Sequence, residues 1–430
     1  MIPRYTLPEM GRIWSDEYRF ETWLQVEIAA CVAHNQLGLV PDEALREIKE
    51  KAKFDIARIQ EIEKTVDHET IAFLTNVAEY VGPAARYIHY GMTSSDKLDT
   101  ALALQLVAAS DILLKDLEVL ITSLQKLARE HKYSVMIGRT HGIHAEPITF
   151  GLVVAIYVEE FKRHLERMKH AKESIRVGKV SGPVGTYSNI DPRVEEIVCR
   201  ELGLQQAPIS NQIIQRDRHA EFLAAIANVG ASLEKLAVEI RALQKTEVRE
   251  VQEPFPKGQK GSSSMPHKKN PNLSERISGL ARLLRGYALT GWENVPLWHQ
   301  RDISHSSVER VSLADASILL DYILNRMNWI IENLVVNPER MKKNLEQSNG
   351  LVFSQGVLLA LTRKGMSRED AYLIVQSIAM QVWDTDTQLI DELKGNEEVR
   401  KVLNEEEIEQ CFEVDRLMKN VDVIFDRLGL

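Results

Sequence analysis

Three consecutive serines, Ser262 to Ser264, stand between Gly261 and Met265-Pro266, and His267, Lys268, Lys269 and Asn270 follow at once. Hydroxyls on a glycine-hinged segment beside fixed cations suit chemistry that removes a proton while negative charge builds on oxygen. Three other readings fail on residue type. A phosphate-cradling loop needs a lysine directly after its second glycine, and Ser262 follows Gly261. A hydrolase elbow, G-x-S-x-G, would need glycine where Met265 stands. A flexible polar linker has no use for Met265-Pro266, Lys268, Asn270 and Glu275 together.

GRTHGIHAEP at 138–147 carries His141 and His144, whose rings would share one face if the segment were helical. A histidine there could cap a turn or move a proton near neutral pH. Zinc needs a third ligand, and none is adjacent. His68, in TVDHETIAF, matches the H-E-x-x-H pattern only as far as Glu69, because Ala72 takes the second histidine position. No metal is therefore expected. TSSD at 93–96 and RDISHSSVER at 301–310 complete four polar, turn-rich patches.

Such groups need a scaffold, and the apolar pattern predicts a helical one. Phe222, Ile226, Val229, Leu233, Leu236, Ile240 and Leu243 recur at spacings of four and three, as in helices packed nearly parallel. Similar seams run over Leu113–Leu127, Val154–Met168 and Ala316–Leu334. Strand-like alternation is scarce, so the fold class reads as all-α, built on a long helical bundle. Turn residues cluster at 90–99, 138–147, 181–192 and 252–271, and the last, longest stretch reads as a lid with Gly258 and Gly261 easing its closure.

The 430 residues are 44% hydrophobic and 27% charged, with a formal charge of −9, which excludes a general nucleic-acid or membrane-surface binder. No run approaches the roughly 18 apolar residues of a membrane span, and a cytoplasmic location is expected. Cys31, Cys199 and Cys411 are far apart and should be reduced and buried.

GSSSMPHKKNP at 261–271 resembles the signature loop of the fumarase/aspartase superfamily, GSSxMPxKxNP. HYGMTSSDKLDT at 89–100 and GRTHGIHAEPITFG at 138–151 are similar to the adenylosuccinate lyase forms of that superfamily rather than to its sister enzymes. The likeness runs from Arg4-Tyr5 to the C-terminal segments, and no quoted motif position departs from it. It implies three domains: an N-terminal helical domain at 1–110, a long-helix domain with the signature loop at 111–364, and a C-terminal helical domain at 365–430. It implies a homotetramer with shared active sites, no cofactor, and β-elimination of fumarate from adenylosuccinate, giving AMP, and from SAICAR, giving AICAR.

By the same resemblance Ser262 is the general base and His141 the general acid; the residues themselves leave open whether Ser262 or Ser263 takes the proton. Glu275 would pair with His141, and His68 would position the acid or the substrate phosphate. Lys268 and Asn270 would meet the succinyl carboxylate. Arg4, Tyr5, Arg301, Ser306 and Arg310 match phosphate and ribose contacts. Thr93, Ser94, Gln212 and Ser263 match succinyl contacts, with Asp67 and Arg276 nearby and Glu69 and His89 among the substrate-binding residues. Two alternatives stand beside this reading: a sister lyase acting on argininosuccinate or another fumarate-forming substrate, and a crystallin-like scaffold without activity. A scaffold would not require Ser262, Lys268, His141 and Glu275 together.

Overall fold

The computed structural model describes residues 1–430. Five long helices form its frame: Ser94–Glu130, Phe150–Ile175, Asp217–Leu243, Asn272–Glu293 and Ser304–Glu332. Four of them carry the expected seams, and the Phe222-to-Leu243 series is buried throughout. The fifth, Asn272–Glu293, buries Ile277, Leu280, Ala281, Leu284 and Ala288 at the same spacing. Two of its stripe positions are alanines and Gly291 extends it with no side chain at all, which is why the pattern is faint in sequence. No helix is long and apolar enough to cross a membrane.

The chain forms two compact units. The first comprises Met1–Val119, Phe161–Lys235 and Arg276–Met327; the second comprises Leu120–Glu160, Leu236–Glu275 and Asn328–Leu430. In the first, Phe20, Trp23 and Phe73 centre an apolar core with Val26, Ile48 and Val77. In the second, the C-terminal helices bury Val357, Leu361, Val375, Leu389 and Ile408 together. The three cysteines are free and buried, as expected.

The segment around His141 is neither helix nor open turn. Val135–Thr140 pairs antiparallel with Ile143–Thr149, and the hairpin reverses on His141 and Gly142, with φ of 58° and 79°. Two left-handed residues at the centre define the tight turn whose twist matches paired strands. A bulge in the second strand sets Ala145 and Glu146 opposite the single residue Gly138, where a Cβ would lie 2.6 Å from the Glu146 carbonyl oxygen. The bulge and Pro147 interrupt the two-residue alternation that would have marked the strands.

A pair of acids in the first unit gives a stability prediction. Asp116 and Asp321 hydrogen-bond each other, and Asn325 Nδ2 donates to Asp321 Oδ1 at 3.0 Å. Burial, reinforced by the neighbouring Asp116, pushes Asp321 up to about 8. Since the folded state holds a proton that the unfolded chain releases near pH 4, this site's contribution is full at acid pH and is lost as pH rises toward 8. Asp321→Asn, a permanent mimic of the protonated form, should raise the melting temperature at pH 8.5 by about 2–4 °C and by less at pH 5. Equal gains at both values would contradict this.

Candidate active site

In the second unit the chain has neither helix nor strand from Glu253 to Pro271. It folds back so tightly that a Cβ at Gly261 would lie 1.9 Å from the Lys268 carbonyl oxygen, so only glycine fits. Asn270 Nδ2 donates to Gly261 O at 2.9 Å and closes the loop. Gln244 holds both limbs: its Oε1 accepts from Glu253 N at 2.8 Å and its Nε2 donates to Lys269 O at 3.0 Å. The Glu253 carboxylate accepts from Leu273 N at 3.2 Å and Ser274 N at 2.6 Å. Those are orphan donors at a helix N-terminus, where the dipole favours an anion.

Inside this frame Ser262 Oγ accepts from Ser264 N at 3.2 Å and Met265 N at 3.1 Å, and the residue is half-buried, whereas Ser263 is exposed. Two N–H groups aimed at one hydroxyl oxygen favour its negative form. Lys268, Asn270 and Glu275 line a cleft of about 1060 Å³ with Arg241, Lys245 and Arg249. Cations outnumber the single carboxylate there, which suits a ligand with several carboxyl groups.

His141 sits exposed at the hairpin tip. Two residues earlier, Arg139 forks onto the fully buried Glu250 at 2.8 and 2.7 Å, and Asn344 Nδ2 donates to the same carboxylate at 2.8 Å. The arm is thereby rigid while the tip is free to meet a ligand. No ion pair joins His141 to Glu275 within one chain. His144 lines an adjoining cleft of about 790 Å³, which shares Ala242 and Lys245 with the first. Burial and then Arg139 push its ring below the usual histidine range, so it is neutral at pH 7.

The first unit gathers most of the remaining candidates. Asp67, with φ of 49°, ends the Ile56–Val66 helix, and His68 caps the Glu69–Val81 helix, its Nδ1 accepting from Ile71 N at 3.4 Å. Arg19 at 2.6 Å and Arg310 at 2.7 Å grip Glu69. Burial alone would push that carboxyl up, but the two guanidinium groups outweigh it and hold it below the usual range. His89, with φ of 62°, bonds Glu27 at 2.7 Å. Thr93 N donates to Asp96 Oδ2 at 2.8 Å just ahead of Ser94, the first residue of its helix. Arg301 Nη1 donates to Gln212 Oε1 at 3.2 Å. Tyr5 packs 5.2 Å from Tyr322, whose hydroxyl accepts from Arg276 Nη1 at 3.1 Å. Ser306 is half-buried and Arg4 exposed. Asp67, His89 and His141 are three of the eight non-glycine residues in left-handed conformation, and such strain concentrates at functional sites.

Deeply buried charges accompany these residues, and of them only Asp96, in TSSD, falls in a polar patch that the sequence marks. Lys179 salt-bridges Asp96 with both side chains fully buried. Lys97 is fully buried with its Nζ 3.9 Å from the Trp23 ring and 4.8 Å from Phe73. Burial, opposed by Glu27 and Glu69, lowers its ammonium to about 7. The signal in the sequence is the close spacing of Asp96, Lys97 and Asp99 at the start of a helix; all three are buried. No cluster of three or more His, Cys, Asp or Glu side chains is arranged to hold a metal ion.

The chain is similar to known proteins over its whole length. A family model described as "Lyase" matches residues 4–286, and one described as "Adenylosuccinate lyase C-terminus" matches residues 350–428. An adenylosuccinate lyase of Bacillus subtilis (strain 168) is 55% identical over 430 residues, and one of Synechocystis sp. is 56% identical over 431, each covering 100% of both chains. Among solved structures, a fumarate lyase from Mesorhizobium sp. BNC1 superposes with a TM-score of 0.91 at 26% identity, covering 100% of this chain and 99% of that one. A 3-carboxy-cis,cis-muconate lactonizing enzyme from Pseudomonas putida gives 0.90 at 29% identity, covering 99% and 96%.

Proposed function

The chain belongs to the adenylosuccinate lyase family, with the all-α fumarase-like fold expected from its sequence, and from that premise we propose how its residues split fumarate from adenylosuccinate and SAICAR. Full-length identity above one half to adenylosuccinate lyases carries the activity. The roles of individual residues rest on local geometry. Elimination breaks a weakly acidic C–H beside a carboxylate and a C–N bond on the neighbouring carbon, so it needs a base, an acid and a sink for charge.

Ser262, as its alkoxide, takes the proton. The electron pair passes through the carboxylate-stabilised carbanion into the new double bond, the C–N bond breaks, and His141 protonates the departing nitrogen. The two N–H groups on Ser262 Oγ support the base role, because a serine alkoxide needs fixed donors to form. Lys268 and the cations of its cleft stabilise the carboxylate as charge accumulates there; one well-aimed donor is worth about 3–4 kcal/mol in such a site. Glu275 orients His141. Asn270, besides closing the loop, faces the succinyl group with Ser263 and Lys268. Thr93, Ser94 and Gln212 hold the succinyl part, with Asp67 and Arg276 nearby. Arg4, Tyr5, Arg301, Ser306 and Arg310 hold the phosphate and ribose, with His68, Glu69 and His89 beside them.

The site is completed by assembly, in a cytoplasmic homotetramer whose subunits keep the division 1–110, 111–364 and 365–430. The loops at 93, 141 and 262 come from three different copies. The absence of a His141–Glu275 pair within one chain supports this. Purified protein given each ribotide should release fumarate with AMP or AICAR, and inertness toward both would sink the proposal.

The signature loop is expected to act as a lid. Its ends are pinned at Gln244 and Glu253, while residues 256–269 are exposed except Gly261 and Ser262, which are half-buried. Amide exchange over 258–271 should be fast without ligand and slow with AMP plus fumarate bound. Equal exchange in both states would count against closure.

A further inference from the structure

We propose that Arg216 is a positioning residue for this reaction: it fixes, from beneath, the three segments that hold the substrate. The inference rests on the adenylosuccinate lyase reading and adds a residue that touches no ligand. The side chains of Arg216, Asp99 and Glu309 are 2%, 5% and 8% exposed. All five guanidinium N–H groups are used. Nε donates to Glu309 Oε1 at 2.9 Å; Nη1 donates to Asp99 Oδ2 and to Ile214 O, each at 2.6 Å. Nη2 donates to Asp99 Oδ1 at 2.9 Å and to Glu309 Oε2 at 3.1 Å. Asp99 Oδ2 accepts a further bond from Ile214 N at 2.7 Å.

Each partner belongs to a different substrate-holding segment. Asp99 lies in the second turn of the helix that Ser94 begins and Thr93 precedes. Ile214 is two residues from Gln212, which Arg301 holds at 3.2 Å. Glu309 sits on the Ser304–Glu332 helix, between Ser306 and Arg310. One planar fork therefore sets the spacing between the succinyl-binding and the phosphate-binding groups.

The surroundings keep the cluster's charge fixed. Burial and then Arg216 lower His219 to about 3 and His305 to about 4, so neither ring charges at neutral pH. Burial alone would raise Asp99, but Arg216 outweighs it and holds the carboxyl at about 2. Glu309 goes the other way: burial raises it and Arg216 offsets only part. Buried ion clusters are weak sources of stability, since apolar groups of equal volume often do as well; what this one supplies is geometry. Lysine cannot substitute, having three donors on a point charge instead of five in a fork.

The test is the kinetics of Arg216→Lys and Glu309→Gln on adenylosuccinate, with mass and melting curve recorded for each. The base and acid lie on other loops, so the loss should fall mainly on KM. For Arg216→Lys we expect a rise of about tenfold or more, with kcat within about threefold of wild type. Glu309→Gln keeps its volume and decides the matter if the lysine variant does not fold; its KM should rise about threefold or more. A KM within twofold of wild type in a folded variant, with activity lost only in proportion to unfolded protein, would overturn the inference and leave a structural role. Failure of the wild-type protein to cleave adenylosuccinate would sink the underlying reading instead.

Discussion

Ser262→Ala should lower adenylosuccinate turnover by about a thousandfold or more while the substrate still binds, because a base contributes only in the transition state. The neighbouring hydroxyl provides the control. Ser263 is exposed, whereas Ser262 is half-buried and its oxygen already accepts from Ser264 N and Met265 N. Those donors lower the cost of the alkoxide at 262. Ser263→Ala should accordingly keep activity within about tenfold, the loss of one succinyl contact. Substrate affinity of Ser262→Ala, measured by calorimetry, should stay close to wild type. A dead Ser263→Ala beside a nearly normal Ser262→Ala would move the base by one residue.

The frame of long helices is legible in the sequence because burial of one face imposes a period, and Phe222 to Leu243 keeps that period without a break. The serine loop is legible for the opposite reason, since its glycines, proline and cations interrupt the period. The hairpin at 135–149 is not, because its reversal depends on a histidine in left-handed conformation, which composition does not announce. Arg216, Asp99 and Glu309 are hidden for a further reason. In a sequence each reads as an ordinary solvated charge, and only the long-range pairing, 117 and 93 residues apart, converts them into a core. Asn270 is marked by the sequence as a ligand contact, but its hydrogen bond to Gly261 O, which closes the loop, is visible only in the structure.

His141→Ala should abolish turnover, since expulsion of the purine nitrogen as an anion would be far slower than its protonated departure. We propose more than that: the acid at 141 and the base at 262 meet on one substrate from different copies of the chain. His141 is carried on a hairpin braced by Arg139 and Glu250, and it makes no pair with Glu275 in its own chain. The direct measurement mixes inactive His141→Ala with inactive Ser262→Ala in equal amounts, unfolds and refolds them together, and assays fumarate release from mixed tetramers identified by mass. If the two loops come from separate subunits, roughly one quarter of the sites receive both intact groups, and activity returns to that order. If mixed tetramers form and stay dead, each chain builds its own site and the shared-site account is wrong.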